Sequence, residues 1–71
     1  MAVQEQEKGY IKWFNQEKKF GFIVPEKGGS DIFFHISAVE FDKANLQERI
    51  NVIFERENNR GRSSAVRIQL A

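Results

Sequence analysis

Short runs rich in aromatic and β-branched residues alternate with polar, glycine-containing stretches along the chain, and this pattern predicts strands rather than helices. Residues 9–14 form the first such run, which is too short for a helix. A second run covers residues 20–24 and ends at Pro25. The glycines within residues 26–30 are typical of a hairpin loop, so residues 31–35 should be the antiparallel partner of the second run.

The second half of the chain carries two further predicted strands. Residues 49–57 hold apolar side chains at strand spacing, and residues 65–70 alternate apolar with polar positions. Residues 58–61 carry the asparagine and glycine signal of a turn between them. Before these strands we expect a short helical turn at residues 36–39 and a long polar loop at residues 40–48. Five short strands without a long helix predict an all-β barrel.

The chain of 71 residues is long enough for one small domain. We expect residues 1–7, which are polar and acidic without apolar periodicity, to form a flexible tail, and residues 8–71 to form the domain. A chain of this size buries only about 60 % of its unfolded surface, so a binding site must lie on the surface. The sequence is interpreted as one unit, and excision of this unit from a larger protein stays open as an alternative.

Composition excludes several kinds of site. The chain has no cysteine, which excludes disulfides and thiolate metal sites. Its single histidine cannot form a zinc site alone. We therefore expect no metal and no cofactor. Its apolar runs fall far short of the roughly 20 residues of a membrane helix, and its first residues do not resemble a signal peptide. We therefore expect a soluble, cytoplasmic protein. Lys and Arg number 11 against 10 Asp and Glu, and a net charge of +1 steers a polyanion only weakly.

Strand alternation separates the apolar residues of the second and third strands into two sets. One set has no polar atom beyond the backbone and suits the barrel interior: Ile23, Ile32 and Phe34. The other set combines phenylalanines with the single histidine: Phe20, Phe22, Phe33 and His35. If the first set is buried, the second set faces water. Alternation alone leaves open the converse arrangement, in which the second set forms the core.

An aromatic face exposed to water needs an explanation. Leaving a large apolar side chain unburied forgoes about 1.5–3 kcal/mol of stability. Stacking of an unpaired base on an aromatic ring is worth about 1–3 kcal/mol and depends little on base identity. Lysines around the rings would meet the phosphates. The pattern therefore favours a platform for single-stranded nucleic acid.

Three blocks of the sequence resemble the cold-shock domain family, in its order and at its spacing: Lys12-Trp13-Phe14-Asn15, Lys18-Lys19-Phe20-Gly21-Phe22-Ile23 and Asp31-Ile32-Phe33-Phe34-His35-Ile36-Ser37-Ala38. The resemblance runs from about Gly9 to Ile68. It implies a five-stranded antiparallel OB-type β-barrel that binds single-stranded RNA or DNA by base stacking and has no enzymatic activity. The residues that match the family's binding residues by position are Lys12, Trp13, Lys18, Phe20, Phe22, Phe33 and His35.

Other positions add candidates or depart from the family's pattern. Lys19 stands where the family usually has glycine, and it adds a charge that makes it a further candidate for binding. Phe41 is a candidate for the family's loop aromatic, in a loop about one residue shorter than expected. Arg60 and Arg62 flank a glycine turn, where they either grip phosphate or form a charged, solvated hairpin.

Three further residues depart from the family's pattern in charge, size or aromatic character: Tyr10, Phe34 and Ile36. The first occupies a place that is often basic in the family. The second enlarges a position usually filled by valine, which predicts a different core packing. The third replaces the aromatic residue that usually follows the histidine, which should remove one stacking platform.

Trp13 presents a conflict between local pattern and resemblance. Strict alternation from Ile11 sends Trp13 inward, whereas the resemblance implies that it lies on the binding face. We therefore predict a bulge or sharp twist at residues 12–14. A partly buried barrel residue is the alternative interpretation of the tryptophan.

The leading hypothesis is a single-stranded nucleic-acid binding protein that acts as an RNA chaperone or as a regulator of transcription or translation. We expect RNA or DNA as partner, no membrane partner, and a monomer in preference to a dimer. A protein-interaction module using the same aromatic patch is the alternative, although apolar protein interfaces are usually depleted in lysine. An enzyme is disfavoured, because the histidine has no second candidate base and the carboxylates show no metal-ligand spacing.

Overall fold

Five strands and two 3-10 turns make up the computed structural model, which describes residues 6–71. The strands are β1 (Glu7–Asn15), β2 (Phe20–Pro25), β3 (Ile32–His35), β4 (Asn51–Asn59) and β5 (Arg62–Leu70). The 3-10 turns are Ile36–Ala38 and Lys43–Asn45. The predicted helical turn is therefore confirmed, and the predicted polar loop contains a turn of its own.

The strands close into a barrel in the order β1-β2-β3-β5-β4. This confirms the predicted all-β, five-stranded barrel. Every neighbouring pair is antiparallel except β3 and β5, which run parallel and share the registered pair Phe33 and Ser64. The description "antiparallel" needs this correction, because strand direction cannot alternate all the way around a closed ring with an odd number of strands.

The barrel interior is filled by one cluster of apolar side chains. Its buried members are Ile11, Ile23, Ile32, Phe34, Val39, Leu46, Val52, Phe54, Ala65 and Ile68. The predicted inward set of β2 and β3 lies in this cluster, so the choice between the two faces is confirmed. Two phenylalanines, Phe34 and Phe54, supply much of the volume of this small core, and the other aromatic rings of β2 and β3 face outward.

The first strand begins two residues earlier than predicted, at residue 7 instead of residue 9. Glu7, placed in the tail by the sequence pattern, lies in β1 opposite Phe54 of β4. Its carboxylate accepts two hydrogen bonds, of 2.9 and 2.8 Å, from the guanidinium group of Arg56. A polar residue can extend a strand when its side chain finds such a partner across the pair. Residues 1–5 of the predicted tail lie outside the described residues.

The last hairpin is longer than predicted on both sides. Strand β4 continues to Asn59 and β5 begins at Arg62 instead of Ala65. The two residues between them, Arg60 and Gly61, have φ angles of 54° and 79°. Positive φ at both central positions is the geometry of a tight turn that matches the twist of the flanking strands. This turn allows the polar ends of β4 and β5 to keep pairing.

Candidate nucleic-acid interface

A bulge in β1 brings Trp13 to the outer face of the barrel. Ile11 pairs with Ile23 of β2, whereas Trp13 pairs with Phe22, so Lys12 is an extra residue in the register. The bulge reverses the alternation after Ile11, which is buried, and leaves the tryptophan 40 % exposed. The bulge predicted at residues 12–14 is confirmed.

Four rings form a continuous cluster on this face, which we call the aromatic platform: Trp13, Phe20, Phe22 and Phe33. Trp13 is stacked on Phe22 at 6.2 Å between ring centroids with an interplanar angle of 26°, and it meets Phe20 edge-on at 5.6 Å. Phe33 lies 5.6 Å from Phe20 and 6.1 Å from Phe22. The two central rings, Phe20 and Phe22, are half-buried by their neighbours. Trp13 and Phe33 are each 40 % exposed.

The register between β2 and β3 sets the spacing of the platform. Phe22 lies opposite Phe33, and Phe20 lies opposite His35. Directly opposed residues of an antiparallel pair point to the same side of the sheet. The predicted outward orientation of all four residues is therefore confirmed, whereas their role in binding stays a prediction.

Gly21 allows β1 to lie close against β2 beneath the rings. A Cβ atom at this position would meet the carbonyl oxygen of Trp13 and would lie 2.6 Å from the Cβ atom of Phe14. Such a separation is far inside van der Waals contact, so any larger residue would displace β1. The glycine between the two platform phenylalanines thus helps to hold Trp13 beside them.

His35 presents one defined ring nitrogen at the edge of the platform. Its Nδ1 atom accepts a hydrogen bond of 3.0 Å from the backbone N–H of Ser37 and lies 2.8 Å from the hydroxyl oxygen of that residue. An acceptor at Nδ1 places the proton of a neutral imidazole on Nε2. The exposed ring therefore offers an N–H donor to a base or a phosphate.

The lysines of the predicted site have different environments. Lys12 donates to the carboxylate of Asp31 over 2.9 Å, and this hydrogen bond together with the charge of Asp31 raises the pKa of Lys12. Lys18 lies exposed in the turn after β1, where the side-chain oxygen of Asn15 accepts its backbone N–H over 3.0 Å. Lys12 already pairs with a carboxylate, which leaves two of its three ammonium N–H groups for other acceptors, whereas no ion pair is seen for Lys18 within residues 6–71.

Lys19, the residue in place of the family's glycine, adopts a left-handed backbone with a φ angle of 61°. Lys19 lines a groove that includes no platform ring, together with Phe14, Gln16, Ile36, Lys43 and Leu46. Phe41 is half-buried and packs against the core. Phe41 makes no ring contact with the platform within residues 6–71, so the structure does not bring it there. Ile36 packs against the core in the same way.

Both candidate arginines reach the edge of the platform. They line an open groove, which we call the arginine groove, together with two platform rings and three polar residues: Phe22, Phe33, Asp31, Arg60, Arg62, Ser63 and Ser64. Sequence reasoning did not assign Asp31, Ser63 or Ser64 to the site. The position of the two serines depends on the closure of β5 against β3, which no local pattern signals. The groove places cations and hydroxyl groups beside the rings.

The structure of residues 6–71 bears on two further features, a metal-binding group and a membrane-spanning helix. Within residues 6–71, no group of three or more histidine, cysteine, aspartate or glutamate side chains is placed to hold a metal ion. A helix with the length and apolar composition needed to cross a membrane is likewise not found within these residues.

Comparison with known proteins gives concordant matches. The family model described as the "'Cold-shock' DNA-binding domain" matches residues 7–71. The cold shock-like protein CspA of Rickettsia bellii is 48% identical over 63 residues, which cover 87% of this chain and 90% of that protein. The cold shock-like protein CspD of Escherichia coli is 61% identical over 36 residues, covering 51% of this chain and 49% of that protein.

A solved structure has the same fold. The Drosophila protein described as Unr CSD456 superposes with a TM-score of 0.84 at 24% sequence identity. The match covers 96% of this chain and 27% of that longer chain. At this identity the likeness concerns the fold alone.

Proposed function

The chain belongs to the cold-shock domain family, and we propose that it binds single-stranded nucleic acid by stacking bases on the aromatic platform. The observation that carries the proposal is the outward cluster of four rings above a core that other residues already fill. Trp13 and Phe33 keep 40 % of their surface exposed although the barrel is closed. An unpaired base would cover these rings.

The platform supports a single strand in preference to a duplex. A ring can stack only on a base whose face is open, and a duplex keeps its base faces covered by neighbouring pairs. The rings are spaced 5.6–6.2 Å apart across three strands, so successive bases can rest on different rings. His35, Lys18 and the arginine groove would then meet base edges and phosphates.

Binding of single strands would give the protein a cellular role. We propose a monomer in the cytoplasm that covers transiently unpaired RNA or DNA, as an RNA chaperone or as a regulator of transcription or translation. Stacking and phosphate contacts need neither cofactor nor turnover, so binding itself is the activity. The sugar is not read by stacking, and both RNA and DNA are suitable ligands.

Titration with oligonucleotides tests the proposal. Trp13 fluorescence should be quenched by short single strands and far less by a duplex of equal length. With labelled single strands, Phe22→Ala or Phe33→Ala should weaken binding by about 1–3 kcal/mol with little change in salt dependence. Lys18→Ala should make the dependence of log affinity on log salt shallower by about 0.7, the increment for one phosphate contact on a single strand.

Thermal melts of the same variants separate binding from folding. Phe33→Ala removes an exposed ring and Phe22→Ala removes a half-buried ring outside the core, so both should keep the fold. Phe34→Ala removes a buried ring and should cost about 3–5 kcal/mol of stability. If Phe22→Ala leaves affinity unchanged in a folded protein, the stacking platform is wrong. If duplex and single strand bind equally well, base stacking is not the mode of binding.

A further inference from the structure

Tyr10 lies on the same outer surface as the platform but beyond its rings. It is opposite Val24 in the β1–β2 register, and Val24 shares a face of β2 with Phe20 and Phe22. Directly opposed residues point to the same side, so the tyrosine faces outward with them. Its side chain is 41 % exposed, as much as the outermost platform rings.

The β1 bulge is what brings Tyr10 and Trp13 to one side. Residues three positions apart on a regular strand point to opposite faces. The extra residue between Ile11 and Trp13 cancels this difference, and both rings stand outside. Three residues of strand span at most about 10 Å, so neighbouring nucleotides of one strand can reach both rings.

Cations stand on both sides of Tyr10. Lys8 is exposed two residues earlier on the same face of β1, and Lys12 follows at the bulge. The pKa of Lys12 is raised mainly by Asp31 and to a smaller extent by Tyr10. A phosphate on either side of a base stacked on Tyr10 would therefore meet an ammonium group.

We propose that Tyr10 is an additional stacking position for one base at the end of a single strand that lies on the aromatic platform. The inference rests on the proposed function and deepens it, because it assigns a further base-binding residue and a longer binding path. The occupant is the same strand, since Tyr10 faces the same side as the platform, lies within about 10 Å of Trp13 along β1 and has an exposed lysine on either side. The tyrosine is otherwise an exposed ring without a partner ring among residues 6–71.

Binding of oligothymidylates of increasing length, from about 4 to about 10 nucleotides, tests the position. For Tyr10→Ala, affinity should match wild type for the shorter oligonucleotides and should stop rising about one nucleotide earlier. For longer ones it should be weaker by about 5-fold or more, the equivalent of one stacked base. Tyr10→Phe keeps the ring and should behave as wild type. Tyr10→Leu keeps apolar bulk without a π-face and should behave as Tyr10→Ala.

Phe22→Ala is the matched control that separates this inference from the proposed function. It should weaken binding at every length, because its ring lies in the middle of the platform. If the wild-type protein binds no single strand, the proposed function fails and the inference falls with it. If Phe22→Ala weakens binding while Tyr10→Ala and Tyr10→Leu match wild type at all lengths, the inference alone is overturned. A uniform loss at all lengths in Tyr10→Ala would also overturn it.

Discussion

Replacing Lys19 by glycine should stabilise the protein, although lysine is the residue it carries. Lys19 has a φ angle of 61°, in the left-handed region that disfavours side chains with a Cβ atom. Its backbone N–H donates to the carbonyl of Asn15 over 2.8 Å, and its carbonyl accepts from the N–H of Ile36 over 2.9 Å. Because both groups are hydrogen-bonded, the residue cannot leave this conformation without breaking the turn.

The size of the effect follows from two opposing terms. A left-handed conformation costs a residue with a Cβ atom about 1–2 kcal/mol. Glycine removes that cost but gives the unfolded chain additional freedom, which offsets about 0.5–1 kcal/mol. The net gain for Lys19→Gly therefore lies between about 0 and 1.5 kcal/mol, with a middle value of about 0.75 kcal/mol. In a domain of this size the middle value raises Tm by about 3–6 °C.

Thermal and urea denaturation measure this gain, and Lys18→Gly is the matched control. The two variants remove the same charge from adjacent positions of one turn, but Lys18 has no positive φ angle. Lys18→Gly should therefore lower stability by about 0.5–1 kcal/mol. If Lys19→Gly lowers Tm as much as Lys18→Gly does, the backbone of Lys19 carries no strain and the reasoning fails.

Two other substitutions test how the site is built. Gly21→Ala should destabilise the protein by about 1–3 kcal/mol or more, because the new methyl group would overlap Phe14 and the Trp13 carbonyl; denaturation at an unchanged midpoint would contradict this. Asp31→Asn should free Lys12, lower its raised pKa and make the salt dependence of single-strand binding steeper by up to about 0.7. Salt titrations of both proteins check this, and equal slopes would show that the Asp31 pairing does not limit phosphate contact.

Alternation along the strands divided the side chains of β2 and β3 into two faces, but it did not decide which face is buried. The decisive feature was chemical: the inward set carries no polar atom beyond the backbone, whereas the outward set contains the histidine. The bulge was predictable only because two signals disagreed about Trp13. Local pattern and family resemblance together therefore located the platform.

Features that depend on distant parts of the chain could not be predicted in this way. The Asp31 carboxylate meets Lys12 across β2, and the arginine groove exists only because β5 closes against β3. Phe41 resembles the family's loop aromatic in sequence, but its ring packs against the core. The polar ends of β4 and β5 carry no apolar alternation, so their pairing is visible only once the turn at Arg60 and Gly61 is known.

The parallel closure of the barrel has a consequence for local motion. Strands β3 and β5 share the single registered pair Phe33 and Ser64, and parallel pairing is slightly weaker per residue than antiparallel pairing. Amide hydrogen exchange should therefore report its earliest opening along this seam rather than between β4 and β5. Phe33 lies on one side of the seam and Arg62 on the other. A nucleic-acid strand in contact with both residues would stabilise the β3–β5 pairing. Bound nucleic acid should therefore slow amide exchange first along this seam.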